Sequence, residues 1–211
     1  MAGNGQWVNP PGSARRASNK IVQLLSARAH GLLMPRTVIT NNPRYAVRVL
    51  PPGASRGISK PIGESGSITA DWMAPASFFT SDEILADPAS VRVAPGCFQR
   101  FIPAQLELRT YVFGSRAISV AIRPRGKAST PDVTCQDLEA ADFAATADFP
   151  GHESKLVALV SELGLRYAAV DSLVSKGRCY FIEVNPNGGW RWLPPGLQIP
   201  LDREFRQLVL G

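Results

Sequence analysis

Asp171, Glu183 and Asn185 stand close together toward the C-terminal end of the chain, and all three side chains offer hard oxygen donors. A divalent cation that holds phosphate groups needs this donor type. The surrounding residues, Asp171-Ser-Leu-Val-Ser-Lys-Gly-Arg-Cys-Tyr-Phe-Ile-Glu183-Val-Asn185-Pro-Asn187-Gly-Gly-Trp190, have the pattern of a β-hairpin. Strand side chains alternate between faces, so Phe181, Glu183 and Asn185 are expected on one side and Tyr180, Ile182 and Val184 on the other. A three-residue loop, Ser175-Lys176-Gly177 with Gly177 left-handed, pairs Val174 with Arg178 and sets Asp171 opposite Phe181, on the face of Glu183. A two-residue loop would set Asp171 opposite Ile182, on the wrong face. The expected cation site therefore depends on the turn. Its plain alternative is a half-buried strand whose polar residues face water, followed by a Pro-Asn-Gly-Gly turn.

Lys60 ends a strand-like run and is followed by Gly63 and Gly66. A lysine there meets phosphate as a compact point charge while glycines let backbone N–H groups approach; the bland alternative is an exposed loop lysine. The spacing is not Gly-x-x-x-x-Gly-Lys-Ser/Thr, which excludes a P-loop. In Phe98-Gln99-Arg100-Phe101-Ile102-Pro103 the proline breaks a strand and frees backbone groups that could meet a flat base, with Phe101 or Ile102 lining an apolar slot. An ordinary strand end reads the same way. Glu107-Leu-Arg109 puts a carboxylate and a guanidinium on one strand face, as a solvated ion pair or as a fork for phosphate beside an acceptor for a ribose hydroxyl. The cluster of Arg123, Arg125 and Lys127 lacks aromatic partners, which favours a solvated loop or a site for phosphate or an acidic substrate over nucleic acid. With only His30 and His152, neither a histidine-rich metal centre nor a Ser/His/Asp set suggests itself.

The elements that must position these residues alternate between helix and strand. Residues 1–17, rich in Gly, Pro, Asn, Ser and Arg, read as a loosely attached arm. Ser18 is an N-cap candidate for a helix with Lys20 in its first turn and an apolar stripe of Ile21, Leu24, Leu25 and Leu32, ended by Gly31 and Pro35. Thr37 to Thr40 reads as a strand, and Asn42-Pro43 starts a helix to about Leu50. Further on come a helical turn at Asp82 to Leu85, a strand at Cys97 to Ile102, and a hairpin of Glu107 to Phe113 and Ala117 to Ile122 around Gly114-Ser115. Leu156, Leu159, Val160 and Leu163 mark a helix ending at Gly164. The 211 residues, 45% hydrophobic and 19% charged, suit a globular protein, and the net charge of +6 suits an anionic partner. No apolar run approaches the roughly 20 residues that span a bilayer and no signal core is present, so a cytoplasmic protein without a membrane anchor is expected. Cys97, Cys135 and Cys179 show neither disulfide nor zinc spacing.

Taken in chain order, Lys20, Lys60 with its glycines, the Gln99 to Ile102 break, Glu107-x-Arg109, Asp171 and Glu183-x-Asn185 resemble the ATP-grasp superfamily over residues 7–211. Within it the chain is similar to the graspetide synthetases, the microviridin-type peptide maturases, and to ribosomal-protein glutamate ligases. Four phrases carry the likeness: Asn19-Lys20 with Gln23-Leu24, Pro35-Arg-Thr37-Val-Ile-Thr40-Asn41, Phe98-Gln99-Arg-Phe-Ile-Pro, and Glu183-Val-Asn-Pro-Asn-Gly-Gly-Trp190-Arg-Trp192. The resemblance implies an α+β ATP-grasp fold, two α+β lobes with the nucleotide site between them, lacking the usual N-terminal domain that precedes it. The lobes would be residues 18–101 and 102–211, after an arm of residues 1–17. It also implies ATP and Mg2+ as cofactors, with Lys20 and Lys60 on the phosphates and Gln99, Arg100, Phe101 and Ile102 at the adenine. Glu107 would meet the ribose, while Asp171, Glu183 and Asn185 hold the metal. Arg109 and Arg123 would stabilise the transferring phosphoryl group and an acyl phosphate. The implied reaction phosphorylates a carboxylate and then joins it to an amine or hydroxyl, giving an amide or ester with ADP and phosphate. The implied partners are a precursor peptide or a small amino-acid substrate, with no nucleic acid. A partner chain or a missing N-terminal domain would supply the substrate platform, and a homo-oligomer is compatible. If such a partner must complete the site, the chain would be a nucleotide-binding subunit or pseudoenzyme. Thr130-Pro-Asp132-Val-Thr-Cys135 stands where microviridin-type enzymes carry Asp-Trp-Arg.

Overall fold

Apolar alternation on either side of Gly114-Ser115 builds the hairpin expected there, and Gly114 takes the left-handed conformation (φ 59°) that this tight turn requires. The computed structural model describes residues 7–50, 56–62, 76–125 and 141–210. They divide between two compact units, one drawn from residues 1–33, 104–123 and 141–211, the other from residues 34–103 and 124–140. The chain opens in the first unit with α1 (Pro11–Ala17) and α2 (Lys20–Ala29). The second unit then holds β1 (Thr37–Thr40), α3 (Pro43–Ala46), a 3-10 turn (Val47–Val49), β2 (Gly57–Lys60), β3 (Ser77–Phe79), α4 (Ser81–Ala86), α5 (Pro88–Arg92) and β4 (Gly96–Arg100). Back in the first unit come β5 (Leu106–Phe113), β6 (Arg116–Pro124), β7 (Ala141–Thr146), α6 (Pro150–Glu162), β8 (Tyr167–Ser175), β9 (Arg178–Asn185) and α7 (Pro195–Leu210).

The first unit is a five-stranded sheet of order β7-β6-β5-β8-β9. Cross-strand partners share a face, so Leu108, Thr110, Ala121, Ser119, Ser172 and Phe181 line one side, while Arg109, Tyr111, Val120 and Asp171 line the other. Against the first side lies α6, entered through Pro150 and buried through Leu156, Leu159 and Val160 at helical spacing. It ends just before Gly164, as expected from the sequence, and Gly164 takes the left-handed conformation (φ 73°) that closes such a helix. Against the second side lies an aromatic core of Tyr111, Phe113, Tyr167 and Trp190, which Leu193 and, on α7, Leu201 extend.

Four sequence expectations change here. Residues 11–17 are not a loose arm but helix α1, and the preceding Asn9 is stitched down. Its amide donates to Tyr167 O (2.8 Å) and Pro186 O (2.7 Å) and accepts from the N–H groups of Arg166 and Tyr167 (3.0 and 3.1 Å). The helix α2 does form, capped by Asn19 rather than Ser18, but its buried face is Gln23, Ser26 and Ala27. The apolar stripe lies elsewhere, with Ile21 42% and Leu25 64% exposed. Contacts also place α2 with the sheet of the first unit, whereas the sequence boundary of 18–101 grouped it with the residues of the second.

The second unit is a four-stranded antiparallel sheet of order β1-β4-β2-β3. Phe79 and Phe98 pack edge to face at 5.4 Å over Val49, Ile84 and Val91. Gly57 is required where it stands, because a Cβ would lie 2.3 Å from the Phe79 ring. The expected helix from Pro43 to about Leu50 is one short α-turn continued by the 3-10 turn, and the expected turn at Asp82 to Leu85 is α4, closed by a Thr80/Glu83 capping box. Among the described residues no helix is long and apolar enough to cross a membrane.

Candidate active site

The hairpin carrying the oxygen donors turns in two residues, not three. Lys176 (φ 50°) and Gly177 (φ 71°) both adopt positive φ, as a type I′ turn requires, and Ser175 pairs with Arg178. Uninterrupted alternation would then have put Asp171 opposite Ile182. A β-bulge between Asp171 and Ser172 absorbs Ile182, so that Ser172 faces Phe181 and Asp171 faces Glu183. The bulge restores Asp171 and Glu183 to one face by a route the turn alone does not supply. It also moves Phe181 to the opposite face, where it is fully buried, and puts Tyr180 opposite Leu173 on the Asp171 face. Asn185, opposite Ala169, completes a row with Glu183 and Asp171.

Each carboxylate in this row has a cationic partner. Arg109, directly across from Asp171, donates through Nη1 to both carboxylate oxygens at 2.8 and 2.9 Å. Lys20 Nζ donates to Glu183 Oε2 at 2.8 Å. Arg109 is 8% exposed, its guanidinium carbon lies 5.7 Å from the Tyr111 ring centre and 5.6 Å from that of Trp192, and its Nε is buried with no hydrogen-bond partner among the described residues. Burial works against the guanidinium charge, but Asp171 and Tyr111 outweigh it and leave the Arg109 pKa raised. Burial likewise pushes the Tyr111 phenol up to about 12, so it is neutral beside the cation.

Two groups that sequence inspection did not single out fix this geometry. Gln23, only 3% exposed, forms a paired amide bridge to the backbone of Val184: Nε2 donates to Val184 O (2.7 Å) and Oε1 accepts from Val184 N (2.9 Å). The same Nε2 donates to Ala17 O at 2.6 Å. The first turn of α2 is thereby locked beside Glu183, with Lys20 over it. Gly188 lies flat on the site, where a Cβ would come within 2.4 Å of Ala169 Cβ and 2.8 Å of Arg109 Nη2. Tyr167 holds this turn by donating to Gly188 O, and Asn187 N donates to Asn185 Oδ1 at 2.9 Å. Trp190 anchors the end of the segment in the aromatic core and donates to Asp202 on α7 at 2.9 Å. A buried glutamine and a glycine carry no local signal of such roles, although both lie within motif phrases.

Of the other expected residues, Glu107 shares the face of Arg109, two positions along β5. Arg123 does not join them: alternation along β6 sets it with Ala121 on the α6 side, exposed. In the second unit Lys60 and Gln99 share the sheet face turned away from Phe98, with Lys60 opposite Cys97 and Gln99 opposite Ile58. The Gln99 amide donates to Thr37 Oγ1 at 3.0 Å, Arg100 N donates to Arg36 O at 2.9 Å, Phe101 packs on Phe78 at 5.3 Å, and Ile102 is buried. Regular strand structure runs from Gly96 to Arg100, ending short of the Ile102 expected before the Pro103 break. The glycines after Lys60 and the segment from Thr130 to Cys135 lie outside the described residues. Asp171, Glu183 and Asn185 form a hard, all-oxygen donor row on one face, which fits Mg2+.

No family model and no curated protein matches the sequence. Solved structures do match. The macrocyclase MdnC of Microcystis aeruginosa MRC, bound with precursor peptide MdnA, aligns over 97% of this chain with a TM-score of 0.79 and 26% identity. A RiPP-associated ATP-grasp ligase of Chryseobacterium gregarium, in complex with ADP and a leader and core peptide, aligns over 96% with a TM-score of 0.77 and 25% identity. The fold is ATP-grasp. The ATP-grasp ligase PsnB, complexed with minimal precursor, Mg and ADP, aligns over 95% with a TM-score of 0.68 and 23% identity. This chain spans 64%, 60% and 62% of those three chains. The α+β class implied by the resemblance is the class observed, and the similar structures include a macrocyclase bound with its precursor peptide and a RiPP-associated ATP-grasp ligase.

Proposed function

We propose that this chain is an ATP- and Mg2+-dependent carboxylate ligase of the ATP-grasp type acting on a peptide in the cytoplasm. The observation that carries this reading is the bulged hairpin, on which Asp171 stands opposite Glu183 beside a buried, fixed Arg109. In the reaction a substrate carboxylate oxygen attacks the γ-phosphorus of ATP, the bond from that phosphorus to the bridging oxygen breaks, and ADP departs. An amine or hydroxyl then attacks the acyl carbon, its proton passes to solvent or base, and phosphate leaves with the carboxyl oxygen. Positioning and charge neutralisation supply most of the first step, so no protein nucleophile is needed.

Arg109 suits the developing charge because it is held immobile by both oxygens of Asp171 beside the donor row. Mg2+ held by Asp171, Glu183 and Asn185 would neutralise the phosphates. Lys20 and Lys60 are assigned to those phosphates, Glu107 to the ribose, and the segment Gln99 to Ile102 to the base. The net charge of +6 and the likeness to ligases crystallised with precursor peptides support an acidic peptide as substrate. The test is ADP release with MgATP and acidic ribosomal peptides, followed by mass spectrometry for loss of water from the peptide. Glu183→Gln should slow ADP release by about 100-fold or more. A native chain that binds no ATP and forms no ADP with any such peptide overturns the proposal; activity that appears only with an added second chain makes it a nucleotide-binding subunit instead.

A further inference from the structure

We propose that Lys20 is an electrostatic latch on the metal site, neutralising Glu183 so that a divalent cation is held tightly only after nucleotide phosphates draw the ammonium away. This rests on the ligase reading and adds an order of binding to it. Asp171 and Glu183 are each ion-paired, to Arg109 at 2.8 Å and to Lys20 at 2.8 Å, so the four side chains sum to no net charge. A bare divalent cation approaching them meets two positive charges as well as two negative ones. Bound at the same place, a nucleotide brings anionic oxygens that offer Lys20 a new partner and take its charge off Glu183.

The two cations differ in their ability to move. Arg109 is gripped by both oxygens of Asp171 and packed between Tyr111, Trp192 and Gly188, so its release would dismantle the site. Lys20 makes one contact to Glu183, its side chain is 22% exposed, and its ammonium rides on a flexible four-carbon stem. The helix beneath it stays fixed, because Gln23 bridges Ala17 O to both backbone groups of Val184. The ammonium can therefore exchange Glu183 for a phosphate by side-chain rotation alone. Coupling of this kind is reciprocal: whatever factor nucleotide gives to metal affinity, metal gives to nucleotide affinity.

The test is Mn2+ binding to the whole chain, followed by the loss of the free-ion electron paramagnetic resonance signal, with and without ADP. Native protein should bind Mn2+ weakly alone and tightly with ADP. Lys20→Met and Lys20→Gln should bind Mn2+ without nucleotide at least about tenfold more tightly than native protein, a change of roughly 1.4 kcal/mol. The gain should vanish when Glu183→Gln is added, and Lys20→Arg should not show it. Two neutralising variants guard against one failing to fold. The latch is overturned if both leave nucleotide-free Mn2+ affinity unchanged, or if native protein alone binds Mn2+ as tightly as they do. Failure of native protein to bind ADP would instead sink the ligase reading, while the nucleotide-free comparison still decides the latch.

Discussion

Gly188 is the residue whose identity the site constrains most directly. A methyl group there would collide with Ala169 Cβ at 2.4 Å and with Arg109 Nη2 at 2.8 Å, and would press on Asn185 Cγ at 3.4 Å. Ala169 is on a central strand and cannot yield, so the strain falls on Arg109 and the Asn185 turn. Gly188→Ala should lower stability by about 1–3 kcal/mol, as overpacking does, and weaken Mn2+ binding in the presence of ADP. Calorimetric unfolding and the resonance titration read the two effects separately. Gly189 next door has open space at its Cβ position, so Gly189→Ala is the control that should leave both nearly unchanged. At this scale the donor row was legible from residue type: Asp171, Glu183 and Asn185 offer hard oxygens in the residue order. Gln23 was not, because a buried glutamine differs in no local respect from a solvated one, and its partner Val184 is far along the chain.

At the scale of elements, the hairpin was legible and its register was not. A type I′ turn needs positive φ at both central residues, a demand usually met by Asn, Asp or Gly. Lys176 meets it at a conformational cost, and so a loop with only Gly177 left-handed looked the better match to the sequence. Lys176→Asn should stabilise the fold by about 0.5–1 kcal/mol, seen as a shift in the denaturation midpoint without a change in slope. The backbone N–H of residue 176, which donates to Gln105 Oε1 at 2.8 Å, is retained in that variant. The bulge was hidden for a different reason: its extra residue, Ile182, is an ordinary strand residue, and nothing in its type announces that alternation breaks there.

The α6 side of the same sheet makes a pH-dependent claim. His152 meets Ser172 Oγ at 2.9 Å, next to a buried relay in which Thr110 and Ser119 hydroxyls lie 2.8 Å apart and Ser119 donates to Glu153 at 2.5 Å. Burial, aided by Lys155, lowers the His152 pKa from 6.5 to about 4. The unfolded chain therefore binds this proton more readily than the folded one. Its contribution to stability is intact above about pH 6.5 and declines as the pH falls toward 4, levelling below that. Carboxylates such as Glu162, whose pKa is lowered by Ser26 and His30, add a slope of the same sign at the acid end. The comparison must therefore be a difference: His152→Asn should flatten the dependence of the denaturation midpoint between pH 6.5 and 4 relative to native protein. Parallel curves for the two proteins would rule out a buried neutral His152.

For the whole molecule, the units follow contacts that run against sequence order. The chain builds α1 and α2 of the first unit, leaves it after Leu33, and returns only at Ala104. A boundary drawn by motif order makes 102–211 a lobe of its own, yet β8 and β9 would then lose everything that residues 7–33 supply. That loss includes the Gln23 bridge to Val184, the Lys20 pair with Glu183, the Leu33 O acceptor for Phe181 N at 2.8 Å, and the Asn9 stitch across β8 and Pro186. Several buried hydrogen bonds at about 1 kcal/mol each, with the apolar contacts of Ala17 and Ala27, are a large fraction of the roughly 5–15 kcal/mol that separates folded from unfolded domains. Residues 104–211 alone should therefore lack a cooperative thermal transition, and fusing residues 7–33 ahead of Ala104 through a flexible linker should restore one. A sharp transition from residues 104–211 by themselves, with native-like near-ultraviolet circular dichroism from the Trp190 cluster, would mean that α1 and α2 are accessory and that the sequence-drawn boundary is the physical one.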